Sequence, residues 1–121
     1  MDLQTERRLE QFFYLARLPI IRMESRMEVV DPPFRLYVES QQDRVVFAVV
    51  LPIDKAQSFA ALSALLERCI PERTQGIPMR CFLSQPGLTI SCSPDPEFSP
   101  EAWFSLYSEL KKMLSQAKGS A

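Results

Sequence analysis

The sequence predicts an α+β fold in which a twisted, mainly antiparallel five-stranded sheet packs against three helices. Two kinds of pattern predict it: three segments repeat apolar residues at helical spacing, and five short segments either alternate apolar and polar residues or are apolar throughout. Their order is helix, three strands, helix, two strands, helix. Short connections between successive strands favour antiparallel pairing. The length of 121 residues suits one domain over residues 1–121.

The first two helices are predicted from their apolar faces and from the prolines that limit them. Residues 5–18 form the first helix, which Pro19 limits. Asp54 and Gln57 have the spacing of a capping box at the start of the second helix, which ends before Pro71. The apolar positions are Leu9, Phe12, Phe13 and Ala16 in the first helix, and Phe59, Leu62, Leu65, Leu66 and Cys69 in the second.

The third helix has the clearest amphipathic pattern of the chain. Ser99 is a favourable N-cap, and Pro100 is a favourable first helical residue. Residues 116–121 are predicted to form a disordered tail. The apolar face is formed by Trp103, Leu106, Tyr107, Leu110, Met113 and Leu114.

The central strand, residues 45–51, is apolar without interruption, and four of its seven residues are valines. Valine favours an extended backbone, and a run that is apolar on both faces predicts a strand covered on both sides. Pro52 ends this strand because it has no N–H to donate. The remaining strands are predicted from alternation at residues 21–29, 34–39, 77–83 and 88–93.

Charge and composition exclude several classes of function. The net charge is -1 and the basic residues form no block, which argues against binding to nucleic acid or to an anionic membrane. No segment approaches the roughly 18 consecutive apolar residues of a membrane-spanning helix. The charged N-terminal residues carry no apolar signal core, so we expect a cytoplasmic location and no membrane insertion.

No catalytic or metal site is predicted. The chain has no histidine, and its 3 glycines form no phosphate-binding motif. Asp95 and Glu97 flank a proline in a loop, where both are expected to face water. The three cysteines, Cys69, Cys81 and Cys92, are expected to be reduced thiols, and pairing of the last two strands allows Cys81 and Cys92 to lie close together. The sequence therefore predicts no enzyme, no metal and no cofactor.

A protein-binding role is predicted from the balance of apolar surface. Three helices cover only part of a five-stranded sheet in a chain of this length, so some apolar surface should remain for a partner. Met23 and Met27, on the apolar side of the first strand, suit a surface that accepts varied partners. Plain filling of the core is the alternative explanation for both methionines, and the sequence leaves it open.

Several segments, in this order, resemble the type III secretion chaperones of the Tir-chaperone-like family. They are an opening helix ending near Leu18-Pro19, the strand of residues 45–51 closed by Leu51-Pro52, the leucine-bearing helix of residues 59–66, a hairpin around Pro86-Gly87, and a last helix led by Trp103. The match spans nearly all 121 residues. One departure is that Arg68-Cys69 stands where the family usually has an asparagine after the paired leucines.

The resemblance implies a cytoplasmic homodimer that binds the N-terminal segment of a secreted effector or secretion-apparatus protein and keeps it soluble for export. No nucleic acid and no cofactor are implied. By position, the resemblance assigns effector binding to Phe13, Met23, Met27, Phe34 and Leu36. It assigns the dimer interface to Leu62, Leu65, Leu66, Met79 and Phe82.

Two other functions stay open at this point. A regulatory or scaffold domain of similar topology, such as the YbjN-like proteins, would bind a folded partner instead of an unfolded segment. A small enzyme or ligand-binding domain would need a deep pocket with convergent polar groups.

Overall fold

A computed structural model of the chain describes residues 2–19, 22–42 and 44–120. Its helices are α1 (Leu3–Leu15), α2 (Ser58–Arg68), α3 (Pro71–Thr74) and α4 (Pro100–Gly119), and its strands are β1 (Arg26–Asp31), β2 (Phe34–Gln41), β3 (Arg44–Leu51), β4 (Met79–Leu83) and β5 (Leu88–Cys92). The strands form one antiparallel sheet in the order β1-β2-β3-β5-β4. The predicted fold class and order of elements are confirmed, with the short α3 as an additional element.

The first strand begins later than predicted. Alternation predicts a strand from residue 21, whose placement lies outside the described residues, but β1 starts at Arg26. Arg26 pairs with Glu39, and β2 ends two residues beyond Glu39 at Gln41. The alternating residues before Arg26 therefore have little of β2 left to pair with, and a strand needs a partner as well as a pattern.

The core lies on one face of the sheet, which we call the core face. Side chains from all five strands line up across it in rows, and helices α1, α2 and α4 supply the other half of the core. Two of these rows, in sheet order, are Met27, Val38, Phe47, Cys92 and Met79, and Val29, Leu36, Val49, Ile90 and Cys81.

An aromatic cluster joins α1, β3 and α4 at the centre of this core. The ring of Phe12 stacks on that of Phe47, with centroids 5.3 Å apart. Trp103 and Tyr107 meet the Phe12 ring edge-on, at 6.3 and 5.7 Å. All four side chains are fully buried. Edge-on and offset-stacked aromatic pairs each add about 0.5–1.5 kcal/mol beyond the area they bury, so the cluster fixes both terminal helices to the sheet.

Two predictions about helix ends are wrong and one is confirmed. Asp54 makes no side-chain cap bond, because a 3-10 turn at Lys55–Gln57 separates it from α2. The predicted tail from residue 116 is largely helical, since α4 continues to Gly119 and buries Ala117. The cap at Ser99 is confirmed: its hydroxyl oxygen accepts the backbone N–H of residue 102 at 3.1 Å.

Asp31, the last residue of β1, ties the sheet to α4. Tyr107 donates its hydroxyl to Asp31 Oδ2 at 2.7 Å, and Lys111 donates to the same oxygen at 3.0 Å. Burial, followed by the hydrogen bond to Asp31, raises the pKa of Tyr107 above its usual value. The Lys111 ammonium also lies 4.5 Å from the centre of the Tyr107 ring. One carboxylate oxygen thus accepts two donors from α4.

We expect Tyr107→Phe to lower the free energy of unfolding by about 1–2 kcal/mol, because it removes a hydrogen bond to a half-buried carboxylate. Tyr37→Phe is the matched control. It removes a 3.3 Å bond to Glu28 at the surface, which should cost less than about 0.5 kcal/mol. Urea unfolding of both variants measures the difference, and equal losses would contradict the role given to Asp31.

Candidate protein-binding surfaces

The second face of the sheet, which we call the open face, carries a strip of apolar side chains along β2 and β3. Val46 and Ala48 are only half-buried, because in the described part of the chain the helices pack on the core face. Val50 is buried but lies outside the core cluster. Two rows of side chains cross this face in sheet order: Glu28, Tyr37, Ala48, Ser91 and Arg80, and Val30, Arg35, Val50, Thr89 and Phe82.

The open face corrects the prediction that the central strand is covered on both sides. Side chains alternate along a strand, so the uninterrupted apolar run of β3 sends half of its valines to each face. Val45 and Val49 point into the core, whereas Val46 and Val50 lie on the open face. An uninterrupted apolar run predicts that both faces of the strand are apolar. It does not predict whether a helix of the same chain or a partner protein covers each face.

A depression of about 470 Å³ lies on the open face between β1, β2 and β3. Tyr37 and Ala48 border both this depression and a second one of about 250 Å³ that reaches Pro86. Val46 also borders a third, of about 600 Å³, beside Arg44. The three adjoin and open to solvent, a shape that suits the side chains of an extended chain better than an enclosed small molecule.

Charged residues of β1 and β2 border the apolar strip. Arg35 donates to Glu28 Oε1 at 3.0 Å, and the Tyr37 hydroxyl donates to the same oxygen at 3.3 Å. The Nε of Arg26 lies 3.6 Å from an oxygen of Glu39. Exposed pairs of this kind contribute about 0–1 kcal/mol to stability. Their value to a binding surface is that both signs of charge flank its apolar centre.

The turn between β4 and β5 covers one end of the strip. The hydroxyls of Ser84 and Thr89 lie 2.9 Å apart, and the backbone N–H of Ser84 donates to the Gly87 carbonyl at 2.8 Å. A side chain at Gly87 would collide with the backbone of Leu51, so glycine lets the turn approach the end of β3. With Pro86, this turn shields Val50.

A second exposed apolar surface, which we call the α2 stripe, consists of Phe59, Leu66 and Ile70. Their exposed fractions are 80%, 54% and 43%. The seven-residue spacing places Phe59 and Leu66 on one side of α2, and Ile70 lies just beyond the C-terminal end of the helix. Leu62 lies half-buried between them. Large apolar side chains exposed on and next to one helix are typical of a surface that another protein covers.

The sequence pattern does not separate this stripe from the core, because it places Phe59, Leu65 and Leu66 on a single apolar face of α2. Its predicted apolar face includes Phe59 and Leu66, but the residues that α2 buries are Ala61, Ala64 and Leu65. The alanines let α2 approach the sheet and α4 closely. Leucine and phenylalanine occur both at positions that face the core and at positions that a partner protein covers. Helical periodicity therefore does not distinguish a core-facing position from a partner-binding one.

The predicted effector-binding residues lie on the core side of the molecule. Phe13 and Leu36 are fully buried, and Met27 and Phe34 are nearly so. Met23 is half-buried and packs against the same core. Of the five, Met27 also borders the 470 Å³ depression. An effector role for them stays a prediction, and plain core filling accounts for the positions of the methionines.

The predicted dimer residues are divided among three environments. Leu65 is fully buried, and Leu62 and Met79 are half-buried. Leu66 lies in the α2 stripe, while Phe82, 42% exposed, points to the open face. The set therefore does not form one continuous surface, and its role in a dimer stays a prediction.

The cysteines do not take the arrangement that the sequence allowed. Cys81 is paired across the strands with Ile90, while Cys92 is paired with Met79. The thiol in contact with Cys81 belongs instead to Cys69, at the C-cap of α2. Sequence alone could not find this contact, because it depends on how α2 packs against β4.

Among the described residues, no group of three or more acidic or cysteine side chains is arranged to hold a metal ion. None of the helices described is both long enough and apolar enough to cross a membrane.

Comparison with known proteins identifies related sequences and folds. The SsaM family model matches residues 2–117. Over 116 residues the chain is 32% identical to the secretion system apparatus protein SsaM of Salmonella typhimurium, which covers 93% of this chain and 92% of that protein.

Two solved structures share the fold. YbjN from E. coli, a candidate transcription regulator, superposes with a TM-score of 0.61 at 14% identity, covering 98% of this chain and 93% of that one. A chain of the HopA1-SchA chaperone-effector complex gives a TM-score of 0.58 at 15% identity, covering 99% of this chain and 97% of that one. The SsaM family match, the SsaM relative and the fold shared with the chaperone-effector complex confirm the predicted resemblance to type III secretion chaperones.

The burial of α2 can be tested with a pair of adjacent leucines. We expect Leu65→Ala to lower the free energy of unfolding by about 2–5 kcal/mol, because it leaves a cavity in the core. Leu66→Ala should change it by less than about 0.5 kcal/mol in a dilute, monomeric sample, because this side chain is half-exposed. Chemical unfolding measures both, and the reverse order would contradict the placement of α2.

Proposed function

The chain belongs to the SsaM family, and we propose that it acts as a cytoplasmic chaperone in type III secretion. It binds an extended N-terminal segment of a secreted effector or of a secretion-apparatus protein and keeps that segment soluble and competent for export. The observation that carries the proposal is the open face, where Tyr37, Val46 and Ala48 form an apolar strip bordered by charges.

Burial of apolar surface provides the affinity. Each apolar side chain that a bound segment places on the strip contributes about 1.5–3 kcal/mol. Ordering an unfolded segment opposes this by a comparable amount for each fixed residue. Several anchoring side chains are therefore needed, and three adjoining depressions provide places for them.

The edge strand β1 offers a second mode of contact. In the described residues it pairs with β2 alone, so the backbone groups of its outer edge remain available to another strand. A segment added there continues the sheet and places alternate side chains beside Glu28 and Val30 on the open face. Backbone pairing is independent of sequence, which suits a chaperone whose partner contributes only a pattern of apolar residues.

In this proposal the predicted effector-binding residues act from the core face, where they support the strands that carry the open face. Phe34 and Leu36 pack β2 against the core, while their neighbour Tyr37 borders the depression of about 470 Å³ on the open face. Because Phe13 and Leu36 have no exposed surface of consequence, we propose that the segment lies on the open face above them. Met27 borders the depression of about 470 Å³, but its side chain packs in the core, so it too supports the open face from the other side of the sheet.

We also propose that the protein forms a homodimer through the α2 stripe. Phe59, Leu66 and Ile70 supply its apolar surface. A depression of about 590 Å³ beside Phe59, bordered by Ile53 and the turn of residues 83–87, can receive side chains of a second copy. The turn between β4 and β5 borders both this depression and one end of the open face, but Tyr37 and Ala48, at the centre of the open face, do not border this depression, so a dimer can bind a segment there without losing its own contact.

A regulatory or scaffold domain is the second candidate, and the fold shared with YbjN is the observation that favours it. Such a domain would bind a folded partner through the same open face. The two candidates differ in one measurable property, because only the chaperone has affinity for an isolated, unfolded N-terminal segment.

Ala48→Lys tests the open face. It places a charge at the centre of the apolar strip, and we expect binding of the partner segment to weaken at least about tenfold. The protein is co-expressed in turn with each tagged substrate and apparatus protein of its own secretion system. Affinity is then measured by calorimetry with the N-terminal segment of any protein that co-purifies.

Ser115→Lys, which adds the same charge on the exposed side of α4, is the matched control and should bind normally. Normal binding by Ala48→Lys would remove the open face from the interface. Failure of every candidate protein to bind would contradict the chaperone function itself.

Leu66→Asp tests the homodimer. A charge within the α2 stripe should shift the protein from dimer to monomer at micromolar concentration, as measured by sedimentation equilibrium. Tyr14→Asp replaces another exposed apolar residue, on α1, and should leave the dimer intact. A wild-type protein that sediments as a monomer would refute the dimer, whereas a dimeric Leu66→Asp variant would place the interface elsewhere.

A further inference from the structure

The half-buried thiols of Cys69 and Cys81 are in contact where the C-terminal end of α2 packs against β4. Their sulfur atoms lie 3.0 Å apart, although the residues are twelve positions apart in the chain. A disulfide needs a sulfur–sulfur distance of about 2.05 Å, so closing the bond requires a movement of about 1 Å. The third cysteine, Cys92, is buried on the neighbouring strand β5.

We propose that Cys69 and Cys81 are a site of reversible oxidation, at which a low-molecular-weight disulfide converts the two thiols into an intramolecular disulfide. The proposal rests on the contact between the two sulfur atoms and is independent of the proposed function.

The reaction balances with oxidised glutathione as the oxidant. The sulfur of Cys69, deprotonated, attacks one glutathione sulfur; the glutathione disulfide breaks, and one glutathione thiolate leaves. The sulfur of Cys81 then loses its proton, attacks the Cys69 sulfur and expels the second glutathione. The protein loses two electrons and two protons, and the two glutathione thiolates take up the protons.

The surroundings of the two thiols favour this order of events. Cys69 borders a depression of about 190 Å³ at the surface, which gives a small disulfide access to it. Burial, and then the hydrogen bond with the adjacent Cys69, raise the pKa of Cys81 well above the ordinary range, which disfavours its thiolate. Burial also raises the pKa of Cys92 to about 12, which keeps that thiol unreactive.

The bond would fasten the C-terminal end of α2 to the edge strand β4. Cys69 directly precedes Ile70 of the α2 stripe, and Cys81 directly precedes Phe82. The closed loop contains α3. Oxidation therefore stiffens the border between the α2 stripe and the sheet and leaves the centre of the open face, at Tyr37 and Ala48, unchanged.

The test is to incubate the reduced, full-length protein with oxidised glutathione and then remove the excess. We expect the free thiols, counted after unfolding, to fall from the 3 cysteines of the sequence to a single one. The intact mass should decrease by two hydrogen atoms, and peptide mapping should join Cys69 to Cys81. The melting temperature should rise by about 10 °C, because the bridge restricts the unfolded chain.

Cys92→Ser should form the same bridge, whereas Cys69→Ser and Cys81→Ser should not. A protein that keeps all its thiols would overturn the proposal, as would stable glutathione adducts, a bridge to Cys92 or a disulfide between two chains. Peptide mapping of the wild-type protein decides among these outcomes even if a serine variant folds poorly.

Discussion

The packing of α1, α2 and α4 on a single face of the sheet determines the rest of this molecule. It is fixed by the aromatic contacts of Phe12 with Phe47 and Trp103, and by the two donors that α4 gives to Asp31. Because these helices are committed to the core face, β3 is left with half of its valines facing outward. The apolar strip of the open face follows directly from this one-sided arrangement.

The two exposed apolar surfaces have different physical origins. The open face is apolar because the uninterrupted apolar run of β3 sends alternate side chains to each face of the sheet. The α2 stripe is apolar although a helix could have carried polar residues there, since Ala61, Ala64 and Leu65 already provide the contact with the core. The α2 stripe is therefore not needed to anchor the helix, which leaves it available for the proposed contact with a second copy.

Much of the architecture could be predicted because it depends on local patterns. The cap at Ser99, the amphipathic face of α4 and the strand ended by Pro52 are each encoded within a few residues. The candidate sites depend on contacts between distant segments, which local patterns do not specify. Phe13 and Leu36 were assigned to effector binding by position, and both turned out to be fully buried, because position in a family pattern does not specify which face of an element meets the core.

The sequence by itself therefore determined the kind and order of the elements, through periodicity, prolines and capping residues. Only the tertiary structure decided which apolar side chains are covered, because coverage depends on contacts between segments distant in the chain. It separated Leu65, in the core, from Leu66, at the surface, although the two are adjacent and chemically identical. It also brought Cys69 to Cys81 and not to Cys92, since the packing of α2 on β4 has no signature in either segment alone.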